Sequence, residues 1–100
     1  MDLAWAVEQV FVRPAGPGLE VLMVVESPSG ARFRERFTSS DRNRGDAVRR
    51  AARWLALRSR VEGVRRLRLR VEEGGSLRDD PELRDAFASA LAAALHEPER

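Results

Sequence analysis

The segments that decide the fold are ARFRERF, residues 31–37, and RRLRLRV, residues 65–71, in which charged and apolar residues alternate. Successive side chains of a β-strand point to opposite faces of a sheet. Each segment therefore predicts a strand with one apolar face and one face of arginines, which suits the edge of a sheet. The apolar rows are Phe33 and Phe37, and Leu67, Leu69 and Val71; the arginine rows are Arg32, Arg34 and Arg36, and Arg66, Arg68 and Arg70.

Two earlier segments, residues 3–13 and 19–26, are apolar on both faces, which predicts central strands. A cluster of proline and glycine at 14–18 separates them and predicts a hairpin loop. Residues 27–30 have the composition of a type I turn and lead into the strand over 31–38. Strict alternation places Trp5, Val7 and Phe11 on one face of the first strand and Val10 and Val12 on the other.

Two helices complete the pattern. Ser39, Ser40 and Asp41 offer N-caps for a helix that runs to about residue 60. The segment Asp-Pro-Glu at 80–82 combines an N-cap, a proline in the first turn and an acid near the positive end of the helix dipole. It predicts a second helix to about residue 96, and the element order becomes β-β-β-α-β-α.

These elements predict an α+β fold in two layers, with residues 1–100 as a single domain. The central and edge strands give a four-stranded mixed sheet of order 3-2-1-4, in which the fourth strand is parallel to the first. Four strands span roughly 19 Å, a width that two helices of about 10 Å each can cover. We therefore expect both helices on one face of the sheet and an open face opposite.

The open face is the strongest candidate for a functional surface. Strict alternation gives it four aliphatic residues between the two arginine rows: Val10, Val12, Leu22 and Val24. An apolar centre bordered by arginine is typical of protein interfaces, which predicts a homodimer through this face or through a sheet edge. Glu8, Glu20 and Glu26 should share the face and pair with the arginines, within one chain or across a two-fold axis. The competing interpretation is that the second helix covers this face.

A second basic surface is predicted on the first helix. At about 100° per residue, a narrow stripe opposite the apolar side collects Arg42, Arg49, Arg53 and Arg60. Such a stripe can follow a phosphate backbone, which makes nucleic-acid binding the alternative function. The competing interpretation is a solvated helix face.

Charge and composition limit the chemistry further. All 18 basic residues are arginine, which indicates a GC-rich, thermophile-like genome or selection for bidentate anion contacts. Residues 1–71 carry 15 arginines and 8 acids, a net charge of +7, whereas residues 72–100 carry 3 arginines and 8 acids, a net charge of −5. The absence of cysteine excludes disulfides and thiolate chemistry.

No function-specific site emerges from these patterns. We predict no catalytic residue, cofactor or metal site, and no small-molecule ligand can be identified. No apolar run reaches the roughly 18 residues of a membrane span, and no signal peptide opens the chain, so we expect no membrane association and a cytoplasmic protein.

The predicted core over residues 3–75 resembles the ribonuclease H-like fold, which has the same β-β-β-α-β core and strand order. The segment Asn-Arg-Gly-Asp at 43–46 resembles the Asn-Asn-x-Ala-Glu segment of that family. The resemblance implies that Asp46 corresponds to the helix glutamate of the family, and Glu72 or Glu73 to its second strand aspartate.

The chain also departs from the family pattern. Its first strand offers only Glu8 where the family carries Asp followed by Gly, and the fifth strand is missing. The small HicB-type antitoxin domains are similar in size and in this truncated plan, although their Pro-Gly-Cys segment is absent here.

The sequence therefore predicts a non-enzymatic module that self-associates and acts in protein interaction or regulation. Nucleic-acid binding is the alternative. A degenerate metal-dependent nuclease, with Mg²⁺ held by Asp46 and Glu72 or Glu73, is the third hypothesis.

Overall fold

The computed structural model describes residues 4–64, 66–70 and 75–96. Its elements are β1 Ala4–Ala15, β2 Gly18–Glu26, β3 Arg32–Ser39, α1 Arg44–Val61, β4 Arg66–Leu69 and α2 Pro81–Leu95. The strands form a mixed sheet of order β3-β2-β1-β4, in which β1, β2 and β3 are antiparallel neighbours and β4 runs parallel to β1. The predicted order is confirmed, and both arginine-bearing strands lie at edges of the sheet.

Both helices pack on the same face of the sheet and share one hydrophobic core with it. Leu55 of α1, Phe87 of α2 and Met23 of β2 are all fully buried in this core. Helix α2 lies mainly along α1 and meets the sheet at β4. The interpretation in which the second helix covers the open face is therefore wrong.

Strand β1 contains a bulge that breaks strict alternation. Val7 pairs with Val25 and Gln9 pairs with Val24, so Glu8 is an extra residue in the ladder. One extra residue reverses the facing of every side chain that follows it. The prediction that Val10 and Val12 lie on the open face is wrong: Val10 is fully buried in the core, and Val12 packs against it. Phe11, predicted to face the core, is 37% exposed.

The turn at 27–30 forms as its composition predicts. The Gly30 amide donates to the Ser27 carbonyl at 2.9 Å, and Gly30 takes a φ of +88° that favours glycine. The start of α1 differs from the prediction, because the N-cap is Asn43, whose side chain accepts from the Asp46 amide at 3.1 Å. Asp80 caps α2 as predicted, through a hydrogen bond from the Leu83 amide at 3.1 Å.

A short segment beyond β4 closes the remaining edge of β1. The Ser76 amide donates to the Val10 carbonyl at 2.7 Å, and the Val12 amide donates to Ser76 Oγ at 2.8 Å. This approach requires Gly75, since an added Cβ would lie 2.8 Å from the Val10 carbonyl oxygen and its φ is +92°. The segment thus satisfies backbone groups of β1 that β4 is too short to reach.

Candidate binding face

The sheet face opposite the helices, hereafter the open face, has an apolar centre and a basic border. Its centre is formed by Phe11 of β1 and by Leu22 and Val24 of β2, which are neighbours across the β1–β2 ladder. None of the described elements crosses it. Among the described residues, the charged side chains of the face are seven arginines, Arg13, Arg32, Arg34, Arg36, Arg66, Arg68 and Arg70, and three glutamates, Glu8, Glu20 and Glu26.

The three glutamates pair with arginines of the same chain. Arg32 Nε lies 3.1 Å from Glu8 Oε2 and 3.7 Å from Glu26 Oε2. Glu20 accepts from two arginines at once, because its Oε1 lies 2.9 Å from Arg13 and 3.0 Å from Arg36 Nε. The prediction that these acids share the open face with the arginine rows is confirmed. Pairing across a two-fold axis stays a prediction.

Two arginines of the face lack an acidic partner among the described residues. Arg34, in the middle of β3, and Arg68, in β4, are both exposed, and neither forms an ion pair within the described part of the chain. Three strand spacings of about 4.8 Å separate these two edges, or roughly 14 Å. Opposite edges of the open face thus carry two cations that no carboxylate of the described residues neutralises.

A groove runs across the centre of the open face. Its volume is about 340 Å³. The lining residues are Gln9, Phe11, Val12, Arg13, Leu22, Val24, Arg34 and Ser76. They combine apolar side chains with two arginines, an amide and a hydroxyl, a composition that is found in ligand grooves.

The bulge brings two carboxyl groups together beside Arg32. The pKa of Glu8 is raised above its usual value of 4.5, first because its side chain shares a hydrogen bond with Glu26 and second because it is partly desolvated. The Arg32 guanidinium acts in the opposite direction and favours the charged carboxylate. When the pH is lowered, Glu8 therefore becomes protonated at a higher pH than an ordinary glutamate, and the net positive charge of the open face rises at that pH.

The arginine stripe predicted on α1 is only partly present as an exposed surface. Arg49 pairs with Asp46 at 3.1 Å. Arg60 donates to the carbonyl oxygens of Ala94 and Leu95, both at 2.9 Å, and so holds the last turn of α2. Arg60 is therefore a structural contact between the helices, and its assignment to the exposed stripe is wrong. The remaining exposed members are Arg49 and Arg53 on α1, and Arg42, which precedes the N-cap of the helix.

Another arginine of α1 neutralises a buried acid on the helix side of the sheet. Glu35 of β3 is 7% exposed, and its Oε1 lies 3.1 Å from Arg58. The Arg58 guanidinium also lies 5.6 Å from the centre of the Trp54 ring, which packs on Phe37. This ion pair joins α1 to the edge strand β3, and we assign it a structural role.

Of the acids that the ribonuclease H-like resemblance implies, Asp46 is the one that lies among the described residues. Asp46 makes the ion pair with Arg49, and its amide is bound by the N-cap. Glu72 and Glu73 lie outside the described residues. Within residues 4–64, 66–70 and 75–96, no group of three or more His, Cys, Asp or Glu side chains could hold a metal ion. Neither helix in the described part of the chain has the length and apolarity of a membrane span.

Sequence reasoning missed Phe11 and Gln9 as residues of the open face. The signal was present at Glu8 and Gln9, two adjacent polar residues in a strand that is otherwise apolar on alternate positions. Trp5 and Val7 before this pair, and Val10 and Val12 after it, all reach the helix side only if one residue is inserted between them.

Comparison of the chain with protein-family models, with curated proteins and with solved structures finds no match.

Proposed function

We propose that this chain is a non-enzymatic interaction module that binds an anionic partner on the open face of its sheet. The observation that carries the proposal is the presence of Arg34 and Arg68, two exposed cations without ion-pair partners among the described residues, on opposite edges of the sheet face that exposes Phe11. Paired charges at a surface contribute little to binding, whereas unneutralised arginines gain charge-assisted hydrogen bonds from an incoming anion.

The size of the open face favours such a partner over a second copy of the chain. The strands hold 12, 9, 8 and 4 residues, which at about 3.3 Å per residue and about 4.8 Å between strands give a flat footprint of roughly 500 Å². Stable interfaces bury about 800 Å² of accessible surface on each partner, so this face alone is at the small end for a stable dimer. Homodimerisation, as predicted from the sequence, remains a hypothesis that needs further contacts.

The charge of the face supports the same preference. Among the described residues, seven arginines and three glutamates give the face a net charge of +4. Two copies stacked face to face would bring like charges together, which disfavours association unless salt screens them. An anionic partner gains attraction from the same charges.

The proposal is tested with two double variants that change the net charge equally. Arg34→Glu with Arg68→Glu alters the open face, and Arg42→Glu with Arg53→Glu alters the exposed part of the α1 stripe. The readouts are the salt concentration that elutes each protein from heparin resin and its affinity for fluorescent poly-L-glutamate at low salt.

We expect the open-face variant to elute at lower salt and to lose most of its affinity for poly-L-glutamate, while the α1 variant stays close to the unmodified chain. Circular dichroism and melting temperature check that both variants are folded. Equal losses in the two variants would mean that only total charge matters and would refute the proposal. A larger loss in the α1 variant would favour the helix stripe as the binding surface.

A further inference from the structure

We infer that the anionic partner of the open face is single-stranded nucleic acid, with one base stacked on Phe11 and its backbone held by the arginines beside the groove. This inference rests on the proposed function, because it names the partner of the same face. It is carried by the juxtaposition of three features: an exposed aromatic ring, an arginine that no described carboxylate pairs with, and a groove of the size of a small ligand.

The ring of Phe11 is in the place that a stacking contact needs. It lies on the central strand β1 and is 37% exposed, whereas Trp5, the other aromatic residue of this strand, is buried. Leu22 is its direct neighbour across the β1–β2 ladder and extends the apolar platform. Every base presents a flat π-face, so a single aromatic ring on such a platform binds bases without selecting among them.

The groove that Phe11 lines also contains arginines, which can bind the phosphate backbone of the strand whose base stacks on the ring. Arg34 lines the same groove as Phe11 and has no ion-pair partner among the described residues. Arg13, which also lines the groove, shares the single carboxylate of Glu20 with Arg36, so these three residues retain one positive charge. The planar guanidinium of arginine matches phosphate oxygens in bidentate geometry.

The size and lining of the groove favour a single strand over a duplex or an acidic peptide. Its volume of about 340 Å³ is at the lower end of the range for small-ligand sites, which suits one base and excludes a duplex. The bases of a duplex are stacked on each other and cannot stack on Phe11. An acidic peptide would satisfy Arg34 but would gain nothing from the ring, whereas the hydroxyl of Ser76, which accepts from the Val12 amide, can still donate to a base edge.

The test measures fluorescence anisotropy of a labelled oligothymidine of about ten nucleotides, a length within the usual site size. Phe11→Leu removes the ring and keeps an apolar side chain, so the fold should persist, which the melting temperature checks. We expect this variant to bind about tenfold more weakly, since stacking contributes this much or more per base.

Salt dependence tests the backbone contact separately. For single strands, each phosphate that the protein neutralises adds about 0.7 to the steepness of log K against log salt. Arg34→Ala should make the slope shallower by about this amount, and the matched control Arg53→Ala, on α1, should leave both slope and affinity unchanged. A slope that is the same in all three proteins would overturn the assignment of Arg34.

Two further probes separate this inference from the proposed function. A duplex of the same length and poly-L-glutamate should bind more weakly than oligothymidine, and Phe11→Leu should not change their affinities. If poly-L-glutamate binding needs Arg34 while oligothymidine binding is absent or insensitive to Phe11→Leu, the nucleic-acid inference fails and the proposed function stands. If no anion binds at low salt, both fail.

Discussion

Deletion of Glu8 should unfold the protein or bring it close to unfolding, although Glu8 contributes no side chain to the core. The residue is the extra position of the β1 bulge, which places Val7 before it and Val10 after it on the same face of the sheet. Without it, β1 would return to strict alternation. Either the residues before the bulge or those after it would then point to the wrong face.

The cost of either outcome can be estimated from burial. Trp5 is 3% exposed and Val7 is fully buried. If both side chains moved to the open face, the free energy of unfolding would fall by about 3–5 kcal/mol for the tryptophan and about 1.5–3 kcal/mol for the valine. Turning out Val10 and Val12 instead would lose a similar contribution from valine and force Phe11 into a site shaped for smaller residues, at about 1–3 kcal/mol more. A domain of this size is stable by about 5–15 kcal/mol in total.

The assay is urea denaturation followed by far-ultraviolet circular dichroism, with Glu8→Gln as the control that keeps the residue and removes only the charge. We expect the deletion to abolish the folded baseline or to lower the midpoint drastically, and Glu8→Gln to melt at or slightly above the midpoint of the unmodified chain. A deletion variant with a midpoint close to that of Glu8→Gln would refute the assignment of side-chain facing in β1 and, with it, the position of Phe11.

Three further predictions concern other contacts of the described residues. Arg58→Met should destabilise the fold by about 1–3 kcal/mol in urea melts, because it leaves the buried Glu35 unpaired. Adding Glu35→Leu should recover part of this loss. If stability did not recover, the loss would not come from the unpaired Glu35. Because the pKa of Glu8 is raised in the folded state, its contribution to stability is present below pH 4.5 and declines as the pH rises through the raised pKa. Glu8→Gln should therefore raise the melting temperature more at neutral pH than in acid. A difference in melting temperature between the two proteins that stayed constant with pH would contradict this. Any self-association through the open face should strengthen with salt in sedimentation experiments, because salt screens its like charges; a dimer that dissociates in salt would instead join surfaces of opposite charge.

Much of the architecture could be predicted from local patterns. Alternating arginines marked β3 and β4 as edges, since only an edge strand tolerates a continuous charged row, and two-sided apolar segments marked β1 and β2 as central. The proline and acid that follow Asp80 fixed the start of α2 because the N-cap signal is contained in a few adjacent residues.

The facing of β1 after the bulge could not be predicted by alternation alone. A bulge depends on which arrangement buries more apolar surface across the whole sheet, and this is a tertiary comparison. The start of α1 was missed for a related reason: Ser39 and Asp41 are good caps, but pairing of β3 with β2 continues to Ser39 and leaves the cap to Asn43. The use of Arg60 by α2 depends on a helix contact 34 residues away in sequence, which no local pattern contains.

The bulge ties the stability of the fold to the candidate binding face, yet the two can be separated by experiment. The same inserted residue that carries Val10 into the core turns Phe11 and Gln9 toward the arginines, so the aromatic ring of the open face is a consequence of burying β1 correctly. Because the Phe11 side chain itself is partly exposed and bordered by surface residues, its replacement by leucine should change little in stability. A loss of anion binding on that replacement, with an unchanged melting temperature, would therefore report on the face and not on the fold.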